Sequence, residues 1–194
     1  MSTNIAVLFS GGGRTVLNLL DCTENGSLNA TITLAIASRD GISGIDRLVQ
    51  RDLEVAVART PTDSLEEGDR RVQTWLSESR PDLICLCGYL RLLTIEPWME
   101  HKIINIHPSL LPKFGGKGMF GMKVHEAVLD QGEIETGCTV HYVDEEYDHG
   151  SNILQRICTV NKDDTPQILA NRVFELECEA YPSAIQMVSE QLKV

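Results

Sequence analysis

The sequence predicts an α/β domain of the Rossmann-like kind, a mostly parallel sheet with helices on both faces. Three observations predict it. Short apolar runs alternate with helix-patterned stretches along most of the 194 residues, the alternation that builds parallel sheets. The first run, Asn4 to Ser10, is almost wholly apolar, as a strand covered on both faces requires. It passes through Gly11-Gly12-Gly13 directly into an apolar-periodic helix reaching Leu20, the strand–turn–helix step of such folds.

The remaining elements follow in order. Ala30 to Ser38 reads as a second strand, Ile45 to Asp52 as a helix, and Glu54 to Ala58 as a third strand. Ser64 and Glu67 form a capping-box pattern that starts a helix ending near Ser79. Leu83 to Cys87 is a fourth strand, with Cys85 and Cys87 on one side of the pleat. The segment Gly88 to Leu93 then offers Leu90, Leu92 and Leu93 after a strand end, where apolar residues line a pocket or pack under a loop. Ile103 to His107 is the fifth strand, closed by Pro108, which cannot donate to a ladder. Lys113 to Met122 carries four glycines and reads as a flexible lid. A helix from Lys123 to Asp130 stops before Gly132, and a strand runs from Gly137 to Val143. The acidic loop Asp144 to Gly150 leads to a last strand, Ile153 to Val160. Thr165 caps and Pro166 starts a final helix, which Pro182 is expected to break or kink. No repeat, linker or biased segment divides the chain, so residues 1–194 read as one domain.

Composition narrows the function. A formal charge of −11 disfavours a nucleic-acid backbone or an anionic membrane as partner. It leaves room for a small anionic substrate, with Arg91, Lys113, Lys117 and Lys123 as candidates for a local positive field. No apolar run approaches the ~18 residues of a membrane span, and no secretory signal opens the chain. The six cysteines form no C-x-x-C pair and read as reduced core thiols, so the expected location is cytoplasmic.

Three patterns carry candidate chemistry. Asn105 and His107 lie two apart on a strand, which puts an amide and an imidazole on one face at the mouth of a sheet. They either act there or hydrogen-bond the next loop. The Gly11–Gly13 turn either lets backbone N–H groups approach an anion at a helix N-terminus or is a plain tight turn. It lacks the Gly-Lys-Ser/Thr ending of a P-loop, and Val16 stands where a dinucleotide fingerprint needs its third glycine. His141, Asp144, Glu145, Glu146, Asp148 and His149 match no zinc or calcium spacing, so the expectation is no metal.

The stretch Asn105-Ile106-His107-Pro108-Ser109-Leu110-Leu111-Pro112 resembles the signature of the folate-dependent formyltransferases, and most of all of those members that act on glycinamide ribonucleotide. The resemblance runs from Asn4 to about Pro182. It implies formyl transfer from 10-formyltetrahydrofolate, with Asn105, His107 and Asp148 catalytic. It implies that Gly11, Gly12, Gly13, Arg14 and Thr15 hold a substrate phosphate and that Glu177 binds its ribose. Leu90, Arg91, Leu92, Leu93 and His141 fall on the folate side. The N-terminal part is then the substrate half and the C-terminal part the folate and catalytic half. The implied partners are a small phosphorylated amine and a folate, in a monomer or homodimer. The chain departs from the resembled pattern at Arg14-Thr15 (usually Ser-Asn), at Leu65 (often Arg) and at Phe174 (usually Lys or Gln).

The residue types suit the reaction. When an amine attacks a formyl carbon, charge develops on the formyl oxygen, and donors aimed at it lower the barrier. Asn105 is expected to donate through its amide and His107 through a ring kept protonated by Asp148. Asp148 also takes the amine's proton. A formylfolate hydrolase, a formyltransferase on another amine, and a non-catalytic nucleotide-binding module are the competing readings. The hydrolase and the tRNA-directed enzyme carry further domains for which this length has no room.

Overall fold

The computed structural model describes residues 2–192. The parallel half of the sheet comes from apolar runs: β1 (Thr3–Phe9), β2 (Ala30–Ala37), β3 (Ala56–Val57), β4 (Leu83–Leu86) and β5 (Ile103–His107). Two longer strands, β6 (Glu135–Tyr142) and β7 (Asn152–Thr159), join antiparallel. The order is β3-β2-β1-β4-β5-β6-β7. The expected third strand, Glu54 to Ala58, shrinks to Ala56–Val57, because at the sheet edge it pairs with β2 alone.

Helices α1 (Arg14–Glu24), α2 (Ser43–Val49), α4 (Met122–Asp130) and α5 (Pro166–Gln191) share one core with the sheet through Leu19, Leu48, Val128 and Ile185. Helix α3 (Leu65–Ser79) covers the opposite face, where Val72 and Leu76 meet Ala6, Leu8 and Ile84. Alternate residues of β1 serve the two cores, as a pleated strand requires. The expected capping box is present: Ser64 Oγ accepts from Glu67 N–H, and Glu67 accepts from Ser64 N–H.

Pro182 does not end the last helix. A proline removes the bond its N–H would have given to the carbonyl four residues back, here that of Cys178. Asn18 Nδ2 donates to that carbonyl at 3.0 Å, so α1 supplies what the proline withholds. Next to it, the buried Tyr181 hydroxyl reaches the carbonyls of Leu86 and Ile104 at 3.0 and 3.1 Å, tying α5 to β4 and β5. The six cysteines are free thiols; Cys85, Cys87 and Cys138 are buried, whereas Cys22, Cys158 and Cys178 are half-buried.

The chain leaves β1 for one edge of the sheet and β4 for the other. This reversal places the C-terminal ends of β1, β4 and β5 side by side around a crevice, the position where open α/β sheets take their ligands.

Candidate active site

A cavity of about 630 Å³ opens over those three strand ends. The turn after β1, the segment after β4, the end of β5, the Gly-rich loop before α4 and one face of α5 all line it. A smaller hollow lies beside it, lined by Arg91, Leu92, Leu93 and His141. Asn105 and Asp148 line both, so they stand at the junction of the two spaces.

Asn105 and His107 come from β5, and His141 faces Asn105 directly across the antiparallel pair. His141 Nδ1 lies 2.8 Å from the Tyr142 carbonyl, which can only accept, so Nδ1 carries the proton. In that tautomer Nε2 accepts from Asn105 Nδ2 at 3.0 Å. The other Asn105 amide hydrogen goes to Asp148 Oδ1, over a longer 3.3 Å. The expected same-face pair thus exists, but both hydrogens of the Asn105 amide are engaged in the free chain.

Asp148 comes from the acidic loop with a left-handed φ of 56°, which Asp tolerates better than most residues. Its Oδ2 accepts from Gly116 N–H at 2.9 Å and lies 3.4 Å from His107 Nδ1. Burial works to raise the carboxyl's pKa. The neighbouring His141 and His107 rings and the Gly116 amide work to lower it, and the net shift is downward. Asp148 is therefore ionised at neutral pH.

His107 departs from expectation. Its Nε2 sits 2.8 Å from the Phe114 carbonyl and so carries the proton. The ring is 4% exposed, and burial pulls its pKa below the ordinary histidine value despite the opposing effects of Asp148 and the Phe114 carbonyl. A ring held cationic by Asp148 is thus not the resting state, because burial outweighs the attraction of the carboxylate.

The Gly-rich loop supplies both of these contacts. Phe114 gives its carbonyl to His107 and Gly116 its N–H to Asp148, so the predicted lid lies directly on these two side chains. Gly115 allows this approach: a Cβ there would stand 2.5 Å from Leu111 Cδ2 and 3.2 Å from Asp148 Cβ.

At the far end of the cavity Gly13 is the N-cap of α1, with φ 69°, a conformation glycine adopts without cost. No side chain caps this helix, no acidic residue occupies its first turn, and among the described residues no protein acceptor faces the N–H groups of Gly11, Gly12 or Gly13. Arg14, Thr15, Phe174 and Glu177 line the cavity beside them. The Arg14 guanidinium stacks on Phe174, 3.6 Å from the ring centroid. Burial pushes the Glu177 carboxyl up to about 7, against the charge of Arg14.

On the other side, Leu90 lines the main cavity and is 48% exposed, Leu92 is comparably exposed, and Leu93 is buried. Arg91 is held in a bidentate pair with Asp69 of α3. Lys113 pairs with Glu133 at 2.7 Å and Lys123 lies over the Phe120 ring, so of the four cations proposed for a local field only Lys117 is left lining the cavity without such a partner. Arg71 of α3 clamps Asp63 and donates to the Ala58 carbonyl. Among the described residues no cluster of three or more His, Cys, Asp or Glu is placed to hold a metal ion, and no helix is long and apolar enough to cross a membrane.

Two side chains of this region escape a sequence reading. His125 of α4 lines the cavity, is 4% exposed and finds no partner for Nδ1 among the described residues. Its signal is a polar residue on the buried face between Val124 and Val128. Arg47 of α2 donates from Nη1 to the Gly12 carbonyl at 3.2 Å, and nothing local in the sequence links the two.

The comparisons with known proteins agree with this geometry. The family model described as "Formyl transferase" matches residues 3–185. The chain belongs to the formyl transferase family. It is 35% identical over 193 residues to the chloroplastic phosphoribosylglycinamide formyltransferase of Arabidopsis thaliana, covering 96% of this chain and 65% of that one. The chain thus spans just under two thirds of that relative's length. Among solved structures, phosphoribosylglycinamide formyltransferase from Brucella melitensis superposes with a TM-score of 0.85 at 32% identity, covering 96% of this chain and 95% of that one. Glycinamide ribonucleotide transformylase 1 from Symbiobacterium toebii gives a TM-score of 0.85 at 31% identity, covering 98% and 89%. These neighbours share the Rossmann-like fold read from the sequence.

Proposed function

We propose that the chain transfers the formyl group of 10-formyltetrahydrofolate to the amino group of glycinamide ribonucleotide, a step of purine biosynthesis. The observation that carries this is the position of Asn105 and Asp148 where two hollows meet. An acceptor in the larger one and a folate against Leu92, Leu93 and His141 would bring amine and formyl carbon together between these two side chains. The free N–H groups of Gly11–Gly13, with Arg14 and Thr15, take the acceptor's phosphate. Glu177 faces its sugar hydroxyls.

The reaction needs no protein nucleophile. The amine attacks the formyl carbon and the oxygen becomes anionic. Asn105 turns the hydrogen of its long 3.3 Å contact from Asp148 to that oxygen. His107 redirects the N–H now taken by Phe114, which requires the loop to lift. Ionised Asp148 accepts the amine's proton, directly or through a water. The carbon–nitrogen bond to the folate then breaks, and the proton ends on the departing folate nitrogen. The products are a formamide and tetrahydrofolate, so atoms and charge balance without metal or nucleotide triphosphate.

The test is incubation of the protein with 10-formyltetrahydrofolate and glycinamide ribonucleotide in the presence of a chelator, following folate absorbance. Folate release that requires the acceptor is the expected result. Release independent of any acceptor identifies a hydrolase instead, and no release with any amine overturns the enzymatic reading.

A further inference from the structure

Four arginines of this chain, Arg51, Arg71, Arg91 and Arg172, are each held by a carboxylate. Arg14 is not. Among the described residues it makes no ion pair, and its guanidinium carbon instead sits over the Phe174 ring, 3.6 Å from the centroid. A ring under the face of a guanidinium holds it by cation–π attraction while leaving the in-plane N–H edge free. That edge is the part that binds a phosphate bidentately. The stack borders the cavity beside the amides of Gly11–Gly13, which meet no acceptor among the described residues. From behind, Arg47 fixes the turn by donating to the Gly12 carbonyl. Glu177, one helical turn beyond Phe174, also lines this end of the cavity, and its burial keeps much of it protonated near neutrality, so it opposes an anion little.

We propose that the Arg14–Phe174 stack is the specificity element of the acceptor end: Phe174 presents the guanidinium edge to a dianionic phosphate seated on the Gly11–Gly13 amides, so the chain selects acceptors that end in a phosphate monoester. This rests on the reading of the large cavity as the site of a phosphorylated amine, and it assigns the discriminating charge to a residue on α1 steered by an aromatic residue on α5.

Titration with ribose 5-phosphate, and with ribose as control, tests it without any turnover. In the wild type, ribose 5-phosphate shifts the amide resonances of Gly11–Thr15 and the Arg14 side-chain resonance, and ribose does not. Arg14→Gln weakens ribose 5-phosphate by about tenfold or more, the scale of a lost charged hydrogen bond. Phe174→Leu weakens it by about threefold, and adds nothing in the Arg14→Gln background, because it acts only through the guanidinium. In turnover, Arg14→Gln raises the KM of the phosphorylated acceptor with little change in kcat or in the folate KM. Affinity within twofold of wild type in Arg14→Gln, or an undiminished Phe174→Leu effect in the double variant, overturns the proposal. If ribose 5-phosphate binds in an Arg14-dependent way and no formylated product forms, the formyl-transfer reading falls and the phosphate element stands.

Discussion

The two ends of the large cavity are built on opposite principles. At the Gly11–Gly13 end the donors are backbone N–H groups with no acceptor among the described residues. At the other end Asn105, His107, His141 and Asp148 are bonded to one another or to the lid, and the Asn105 amide has no hydrogen left over. Under the proposed function the difference follows from what each end would do. A bound phosphate is already charged before the reaction, so open donors can wait for it. An oxyanion exists only during the reaction, so donors for it are better held in place by weak mutual contacts that a stronger acceptor displaces.

The sharpest way to break this comparison is Asp148→Asn. The amide keeps the shape, and Asn tolerates the left-handed backbone of this position, so folding is expected to survive. Loss of the carboxylate removes the proton acceptor and the partner of both His107 and Asn105. Each such role is worth about 10²–10⁴ in rate, and overlapping roles do not multiply, so kcat is expected to fall by ~10³ with KM values nearly unchanged. Steady-state kinetics decide it: a variant keeping more than a tenth of wild-type kcat removes Asp148 from the chemistry.

The second prediction concerns charge burial at the same end. His125 is buried with an unpartnered Nδ1, and its pKa is pushed down to about 4, chiefly by burial and then by its neighbour His107. The unfolded chain therefore binds this proton near pH 6.5, before the native state does. The stability this group gives is whole above about pH 6.5 and is lost as pH falls toward 4. The shift corresponds to about 3 kcal/mol. Denaturant midpoints for wild type and His125→Leu should converge or cross as pH drops through that window, with the variant the less acid-sensitive. Parallel curves would show that the ring is charged or solvated in the native state.

Much of this contrast was readable from local pattern. The strand Ile103–His107, its stop at Pro108, the Gly turn after β1 and the Ser64–Glu67 box are short-range signals, and the structure keeps them. Asp148 needed the family resemblance, since no local rule brings an acidic loop onto β5. What escaped the sequence depends on groups without residue identity or on tertiary burial. The carbonyl of Phe114 and the N–H of Gly116 are backbone, so no pattern announces them. The charge of His107 is set by how completely its surroundings exclude water. Pro182 was expected to break or kink the last helix; that the helix runs on through it depends on Asn18, a side chain of another helix.

The smallest expected effect probes the open end. Gly13 is a poor place to block the turn, because its φ is positive and a Cβ would stand 3.2 Å from the Gly44 backbone, so a substitution there strains the fold as well as the site. Gly11 separates the two. Its Cβ would meet nothing within 4 Å, and it does not carry a positive φ, so Gly11→Val fits the free chain. The same side chain stands beside the amides that a phosphate must approach. Acceptor KM is expected to rise about tenfold, the scale of one charge-assisted hydrogen bond, with folate KM and kcat nearly constant. Arg14→Gln raises the same KM by its own route, so the pair of variants tells whether turn and guanidinium hold one phosphate. If they do, the double variant is less impaired than the product of the singles, since neither contact forms fully without the other. Independent, multiplying losses would mean that the amides and the guanidinium serve different groups of the acceptor. The open end would then be two sites, and the contrast with the closed Asn105–Asp148 end would hold for only one of them.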